Sequence, residues 1–339
     1  MTKEEQTNMS QSQEIHQLLT SEAVRERPLR DRIGSSIVPT ETTTVIARIR
    51  EAEQAGVQQV WMGDADYADT LTIFAAAAAQ TERIRLGTSI IPTYPRNPLV
   101  MARQALAIHD VSSGRLRLGI GPGGRMPIES WYGLSFTSPL SYLQEYIEAL
   151  RAALWEGQKS YQGAYFKIGI PRPQTVRIPL LISALSPKAF RLAGEISDGV
   201  LSWMCPVPYL LDVALPALRV GAEAARRPVP PLIAHMLVAL NTDKEAVLAA
   251  TRRWPRMYSR AEAYARMFAQ AGFGGAVDGG EAELNALTQT LVISGDETTI
   301  RNTIQELLAS GLDELQLHHV PVADEVRERQ QLLQLIGSL

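Results

Sequence analysis

The chain has 339 residues and one cysteine, Cys205, so no disulfide can form within it. That excludes a disulfide-stapled scaffold and fits a reducing cytoplasm. Cys205 ends the stretch Trp203-Met204-Cys205-Pro206 with no histidine near it in sequence, which suits a buried structural thiol better than a nucleophile. Positive charge is not in excess, since 33 Lys and Arg stand against 36 Asp and Glu. No broad basic surface for nucleic acid follows from that balance. Long apolar runs are missing too. Stretches such as Phe74 to Ala79 are too short to span a membrane, and the N-terminus shows no apolar signal core. No His, Cys and Asp cluster has metal-ligand spacing, and neither a Gly-x-Ser-x-Gly elbow nor a Walker loop occurs. The expectation is a cytoplasmic protein that uses no metal, no nucleic acid and no membrane.

What is present is a glycine-rich strand end. In Arg115-Leu116-Arg117-Leu118-Gly119-Ile120-Gly121-Pro122-Gly123-Gly124, the apolar residues alternate with the period of a strand, and glycines crowd its end. Such a turn lets the backbone approach a flat or anionic ligand closely; it also suits a plain strand-ending turn. Gly87-Thr88-Ser89-Ile90-Ile91-Pro92 ends the preceding strand in a similar way. Two neighbouring strands ending in small residues leave room on one side of a sheet.

Around this stretch strands and helices alternate. Strands are expected at 33–38, 57–62, 84–90, 115–120, 179–183, 199–203, 232–240 and 313–319. Helices are expected at 41–55 with Val45, Ile49 and Ala52 on one face, at 70–79, 98–111 and 139–155, and at 187–196, 210–225, 296–308 and 322–336. A hairpin fits 160–168, a charged helical stretch broken near Pro255 fits 243–270, a flexible loop fits 272–280, and a short extended piece fits 290–293. Repeated strand–helix units argue parallel βαβ connections. The natural reading is α/β: a (β/α)8 TIM barrel with insertions at its C-terminal face, an open doubly wound sheet being second. Residues 1–30 read as a polar tail, 31–339 as a single domain and 240–290 as an insertion or lid.

With the strand ends placed, the chain resembles the bacterial luciferase-like monooxygenase family, and within it the branch of oxidoreductases that use the deazaflavin coenzyme F420. The resemblance spans roughly 32–320. It is carried by Ala52-Glu53-Gln54-Ala55-Gly56-Val57-Gln58-Gln59-Val60-Trp61 with Asp64, and by Thr81-Glu82-Arg83-Ile84-Arg85-Leu86-Gly87-Thr88. Ser113-Gly114-Arg115 with Leu118-Gly119-Ile120-Gly121-Pro122-Gly123 follows, then Ser186-Pro187-Lys188 through Leu192-Ala193-Gly194-Glu195 to Asp198-Gly199-Val200. Ile293-Ser294-Gly295-Asp296 and Ala309-Ser310-Gly311-Leu312-Asp313-Glu314-Leu315 close the set.

The resemblance implies a barrel with a flavin-like ring in its mouth and hydride transfer between coenzyme F420 and a small organic substrate. The FMN-dependent monooxygenases of the same family are the alternative, and a non-catalytic flavin-binding barrel is a further one. It implies a non-proline cis peptide at Ser89–Ile90 backing the ring, and cofactor contacts from Thr88, Ser89, Ile90, Gly121 and Gly123. The phosphate-bearing tail falls to Ser186, Pro187 and Lys188. A helix start at Pro187 agrees with that, because free N–H groups and the positive dipole end attract an anion.

Departures from the pattern matter. Many relatives place Asp-His after the second strand, whereas Asp64-Ala65 stands here. Glycines usual before the Pro-Lys pair are replaced by Leu185 and Ser186. Gly124 occupies the position of an acidic glutamate in the sugar-phosphate dehydrogenases, which argues against that activity. Asp64 is left as the catalytic candidate, with a helix-capping role as its competing reading. Alternation points one of His318 and His319 into the barrel mouth, and His235 suits either the core or the barrel interior. Trp131 and Tyr132 could wall the site, and Arg96 and Arg125 could join Lys188 near the tail. The alanine-rich second and third helices suit a homodimer face or ordinary barrel packing.

Overall fold

The computed structural model describes residues 20–64 and 68–339. Its centre is a ring of eight parallel strands: β1 (Ile33–Ser36), β2 (Gln59–Met62), β3 (Arg85–Thr88), β4 (Leu116–Gly121), β5 (Leu180–Ser183), β6 (Gly199–Ser202), β7 (Leu232–Ala239) and β8 (Glu314–His319). Each pairs with the next, and β8 pairs with β1 through Ile33 opposite Leu315 and Ser35 opposite Leu317, so the barrel closes. The open-sheet alternative is thereby ruled out. Short additions extend two strands. Ile91–Pro92 pairs with β4 beyond the end of β3, and Val292–Ser294 pairs with β7 beyond β6.

Helices surround the ring because their apolar stripes have only the sheet to pack on. Val45, Ile49 and Ala52 of Thr42–Gln54 are buried, as are Leu143, Ile147, Leu150 and Leu154 of Pro139–Leu154. Polar caps set several helix starts. Asp69 accepts from the Thr72 N–H at 2.7 Å, Asn97 from the Leu99 N–H at 2.9 Å, and Asp296 from the Thr299 N–H at 2.8 Å.

Two expectations change. Residues 1–19 of the expected tail lie outside the described residues, but 20–32 pack on the barrel rather than trailing from it. Val24 is buried, and Asp313, just before β8, accepts from Ser21 Oγ at 2.6 Å and pairs with Arg25 at 2.6 Å. A buried carboxylate at the strand's start needs such partners, and this segment supplies them. The second change lies between β7 and β8. Glu281–Leu291 is a helix, so only Val292–Ser294 is extended, and Gly274–Val277 makes one helical turn in the expected loop. Leu284, Leu287 and Leu291 give that helix a buried stripe at helical spacing, a signal present in the sequence.

Candidate active site

Side chains facing the barrel axis form three levels, fixed by the alternation of each strand. The lowest is polar. Arg117 donates to Glu314 at 2.6 and 2.9 Å and to Gln59 at 2.9 Å, and its guanidinium lies 4.8 Å from the Trp61 ring centroid. Burial alone would push the Glu314 carboxyl up, but the Arg117 charge and hydrogen bonds, with Arg85 and Gln59, outweigh it and hold it below the usual range. Above sits an apolar level of Trp61, Leu181, Leu201 and Ile233, with Ile90 packed against it. Gly34 and Gly87 make room for the indole, since a Cβ at Gly87 would stand 2.3 Å from it.

The upper level is the mouth. β3 ends in a cis peptide at Ser89–Ile90, the bond expected there. Thr88 Oγ1 ties β3 to β4, donating to the Gly119 carbonyl and accepting its N–H, both at 2.7 Å. Gly121 lies beside Ser183, whose Oγ would be 2.1 Å from a Cβ there, and Gly123 adopts φ +75°. Gln316 Nε2 donates to Ser89 Oγ at 2.9 Å and Ser36 Oγ at 3.2 Å. His318 Nδ1 meets Ser36 Oγ at 3.4 Å, and His235 lies against Trp203 with centroids 3.7 Å apart and the rings tilted by 33°. Alternation thus sends His318 inward, while His319 meets Glu328 at 3.5 Å on the outside. Burial holds His318 down at about 4 and His235 well below the ordinary imidazole range, so both are neutral near pH 7.

Residues 240–290 lie against this mouth. Trp254, on Arg253–Tyr258, sits 5.3 Å from His318, and Tyr258 sits 6.0 Å from Trp203. Arg256 pairs with Glu281 on the helix Glu281–Leu291 and so links two parts of the segment.

The other candidates fall in two places. Asp64 is largely buried at the end of β2. Its carboxylate accepts from the Thr70 N–H at 2.9 Å and lies 3.3 Å from Arg96, while its own N–H donates to the Ile90 carbonyl at 3.1 Å. Burial pushes its carboxyl up, and the Thr70 N–H and Arg96 offset only part of that. Ala65, the departure beside it, lies outside the described residues. Across the mouth, Ser186 Oγ accepts from the Ala189 N–H at 3.3 Å and starts the helix Pro187–Ile196, with Lys188 exposed in its first turn. Arg96 is taken up by Asp64 and Asp69, and Arg125 pairs with Glu129 at 2.8 Å. Trp131 and Tyr132 are exposed rather than walling the mouth. Cys205 is buried, with its thiol pushed up by that burial. No group of three or more metal-ligating side chains occurs among the described residues.

The luciferase-like monooxygenase family model matches residues 29–314. The chain belongs to that family. Its relatives include the 5,10-methylenetetrahydromethanopterin reductase of Methanopyrus kandleri, 27% identical over 83% of this chain and 90% of that one. The fold also superposes on an F420-dependent secondary alcohol dehydrogenase solved as an F420-acetone adduct, with TM-score 0.74 and 18% identity, covering 90% of this chain and 97% of that one. A type II Baeyer-Villiger monooxygenase of Pseudomonas putida in complex with FMN matches with TM-score 0.66 and 18% identity, over 90% and 96% of the two chains. At these identities the two structures speak for the shared TIM barrel. No helix of this family member is long and apolar enough, among the described residues, to cross a membrane.

Sequence reasoning missed Gln316, Ser36, Trp203, Trp254 and Tyr258. For Gln316 a signal existed: Glu314-Leu315-Gln316-Leu317-His318 alternates, and its polar members all face the axis. Trp254 and Tyr258 had none, because their segment reaches the mouth only through tertiary packing.

Proposed function

We propose that the chain is an oxidoreductase that transfers a hydride between coenzyme F420 and a small organic substrate at the barrel mouth. The observation that carries this reading is the juxtaposition of the glycine end of β4 with the helix start at Ser186–Lys188. β4 and β5 are neighbours, with Ile120 opposite Ile182, so Gly121 stands beside Ser183 just before the chain turns into that helix. A flat ring needs a wall without side chains, and a phosphate-bearing tail needs N–H groups and positive charge. The two requirements meet at adjacent strand ends. The F420-dependent alcohol dehydrogenase of the same fold supports the choice of cofactor.

Coenzyme F420 supplies the hydride-carrying ring carbon when bound. The rest falls to the protein. Thr88 holds β3 against β4, Ser89–Ile90 and Gly121 form the ring's wall, and Gly123 turns the chain away from it. Ser186 and Pro187 set the helix start, and Lys188 adds charge for the tail. Asp64 positions the wall, because its N–H holds the Ile90 carbonyl and its ion pair with Arg96 fixes the end of β2. The 240–290 segment acts as a lid that excludes water with Trp254 and Tyr258.

The FMN-dependent monooxygenase is the second reading, favoured by the FMN complex of the same fold. Titrating the purified protein with each cofactor, while following tryptophan fluorescence, separates the two. Tighter binding of F420 than of FMN, with no oxygen consumption on turnover, is the expected result. Micromolar FMN binding without detectable F420 binding would move the chain to the monooxygenases.

A further inference from the structure

His235 is buried at 1% exposure, yet neither Nδ1 nor Nε2 has a hydrogen-bond partner among the described residues. A neutral imidazole presents one donor and one acceptor. Leaving them unmet in the interior destabilises the fold, and a leucine or phenylalanine would avoid that cost. Neighbours on the same level are served. Gln316, opposite His235 across β7 and β8, reaches Ser89 and Ser36, and His318 reaches Ser36. The Trp254 indole N–H, on the lid beside His318, is another buried donor without a partner among the described residues.

We infer that His235, set between Trp203 and His318 with Trp254 on the far side of that contact against His318, is the binding point for an uncharged oxygen-bearing substrate, a ketone or its alcohol. The inference rests on the oxidoreductase reading and names the substrate class for the same mouth. An alcohol oxygen both donates and accepts, which matches either open edge of a neutral imidazole. A carbonyl oxygen uses the donor edge alone, as at sites where a neutral histidine polarises a carbonyl. The walls select against charge. Trp203 covers one face of the imidazole, and His318 lies 5.5 Å away by ring centroid. Arg253, which acts electrostatically on His318, is the cation of this neighbourhood, and His319 with Glu328 lies on the outer side of β8. An ammonium or carboxylate here would lose hydration without a counter-charge in contact. Trp203 and Trp254 suit a compact or flat apolar body attached to the oxygen.

The test uses the full chain labelled with 15N-histidine, titrated with cyclohexanone and cyclohexanol, and with cyclohexylamine and cyclohexanecarboxylate as charged counterparts. It is run with and without bound F420. The neutral pair should shift the His235 ring nitrogens, assigned through His235→Gln, and the charged pair should not. His235→Phe should weaken binding of the neutral pair at least about tenfold, the effect of one lost hydrogen bond. His235→Gln, which keeps a donor and an acceptor, should restore most of it. The unfolding midpoint of His235→Phe should equal or exceed that of the native chain, whereas a purely structural histidine would lower it. Unmoved His235 nitrogens, or undiminished binding to His235→Phe, would overturn the proposal. Failure of F420 to bind would instead count against the cofactor, and the cofactor-free titration then judges His235 alone.

Discussion

The floor and the mouth of this barrel are built from similar polar residues, yet treat them in opposite ways. At the floor, Arg117, Glu314 and Gln59 bond one another at 2.6 to 3.0 Å, and of their side-chain polar atoms the Arg117 Nε–H alone is buried without a partner among the described residues. At the mouth, His235 keeps both nitrogens open under an aromatic cover. The apolar level of Trp61, Leu181, Leu201 and Ile233 separates the two. A network whose carboxylate is fully paired within the fold, beneath an apolar level, has little left to offer a ligand, so the floor serves the fold. An unsaturated one carries a standing cost that only a ligand relieves, so the mouth serves binding.

The largest effect expected from breaking this contrast is at the floor. Arg117→Met leaves the Glu314 carboxylate buried without its main partner, which costs about 3–5 kcal/mol. Urea unfolding should show that loss, and the double variant Arg117→Met/Glu314→Leu should recover much of it because no charge stays buried. A single variant as stable as the native chain would mean that Arg85 and Gln59 alone hold Glu314.

Acid should separate the two levels next. The folded-state value of His318 lies near 4, below its unfolded value near 6.5. Its contribution is therefore complete above pH 6.5 and lost as pH falls toward 4, because the unfolded chain binds the proton first. Between pH 7 and pH 5 one such group costs about 2 kcal/mol. His235 is lowered in the same direction and adds to the loss. Glu314 is also lowered, below its ordinary carboxyl value of 4.5, so the floor weakens only below that pH. Comparing His318→Gln with the native chain by urea unfolding at both pH values isolates the mouth. The variant should lose about 2 kcal/mol less, and an equal loss would place the titration elsewhere.

The contrast also marks what was legible in the sequence. Period-two strands, helix stripes and capping residues declare themselves locally, so the eight strands and their closure could be anticipated. So could the inward turn of one of His318 and His319, and the strand ends at Ser89–Ile90 and Gly121. The lid's contribution could not. Trp254 and Tyr258 are distant in sequence from β8, and only folding brings them against His318 and Trp203. The state of Arg96 was equally hidden, since it depends on two aspartates from a different loop.

The smallest effect concerns the rim, where the positive groups expected for a cofactor tail have been sorted by the fold. Arg96 stands between Asp64 and Asp69, and Arg125 pairs with Glu129 and lies 5.1 Å from the Phe136 ring centroid. Lys188 has no ion pair among the described residues and stands exposed in the first turn of Pro187–Ile196. Water screens an exposed charge, so its contact with an anionic tail is worth less than a buried one. Lys188→Ala should weaken F420 binding about five- to tenfold at low salt, and less as salt rises. FMN binding should change by a smaller factor, because its single phosphate can be met by the helix N–H groups alone. No hydrogen bond or ion pair among the described residues joins Lys188 to the lid or His235, so the response of the His235 nitrogens to cyclohexanone should stay as in the native chain. Fluorescence titration of both cofactors at two salt concentrations reads all three outcomes. An F420 dissociation constant that is unchanged and indifferent to salt would remove Lys188 from the tail site and leave the helix start to hold the anion by its backbone.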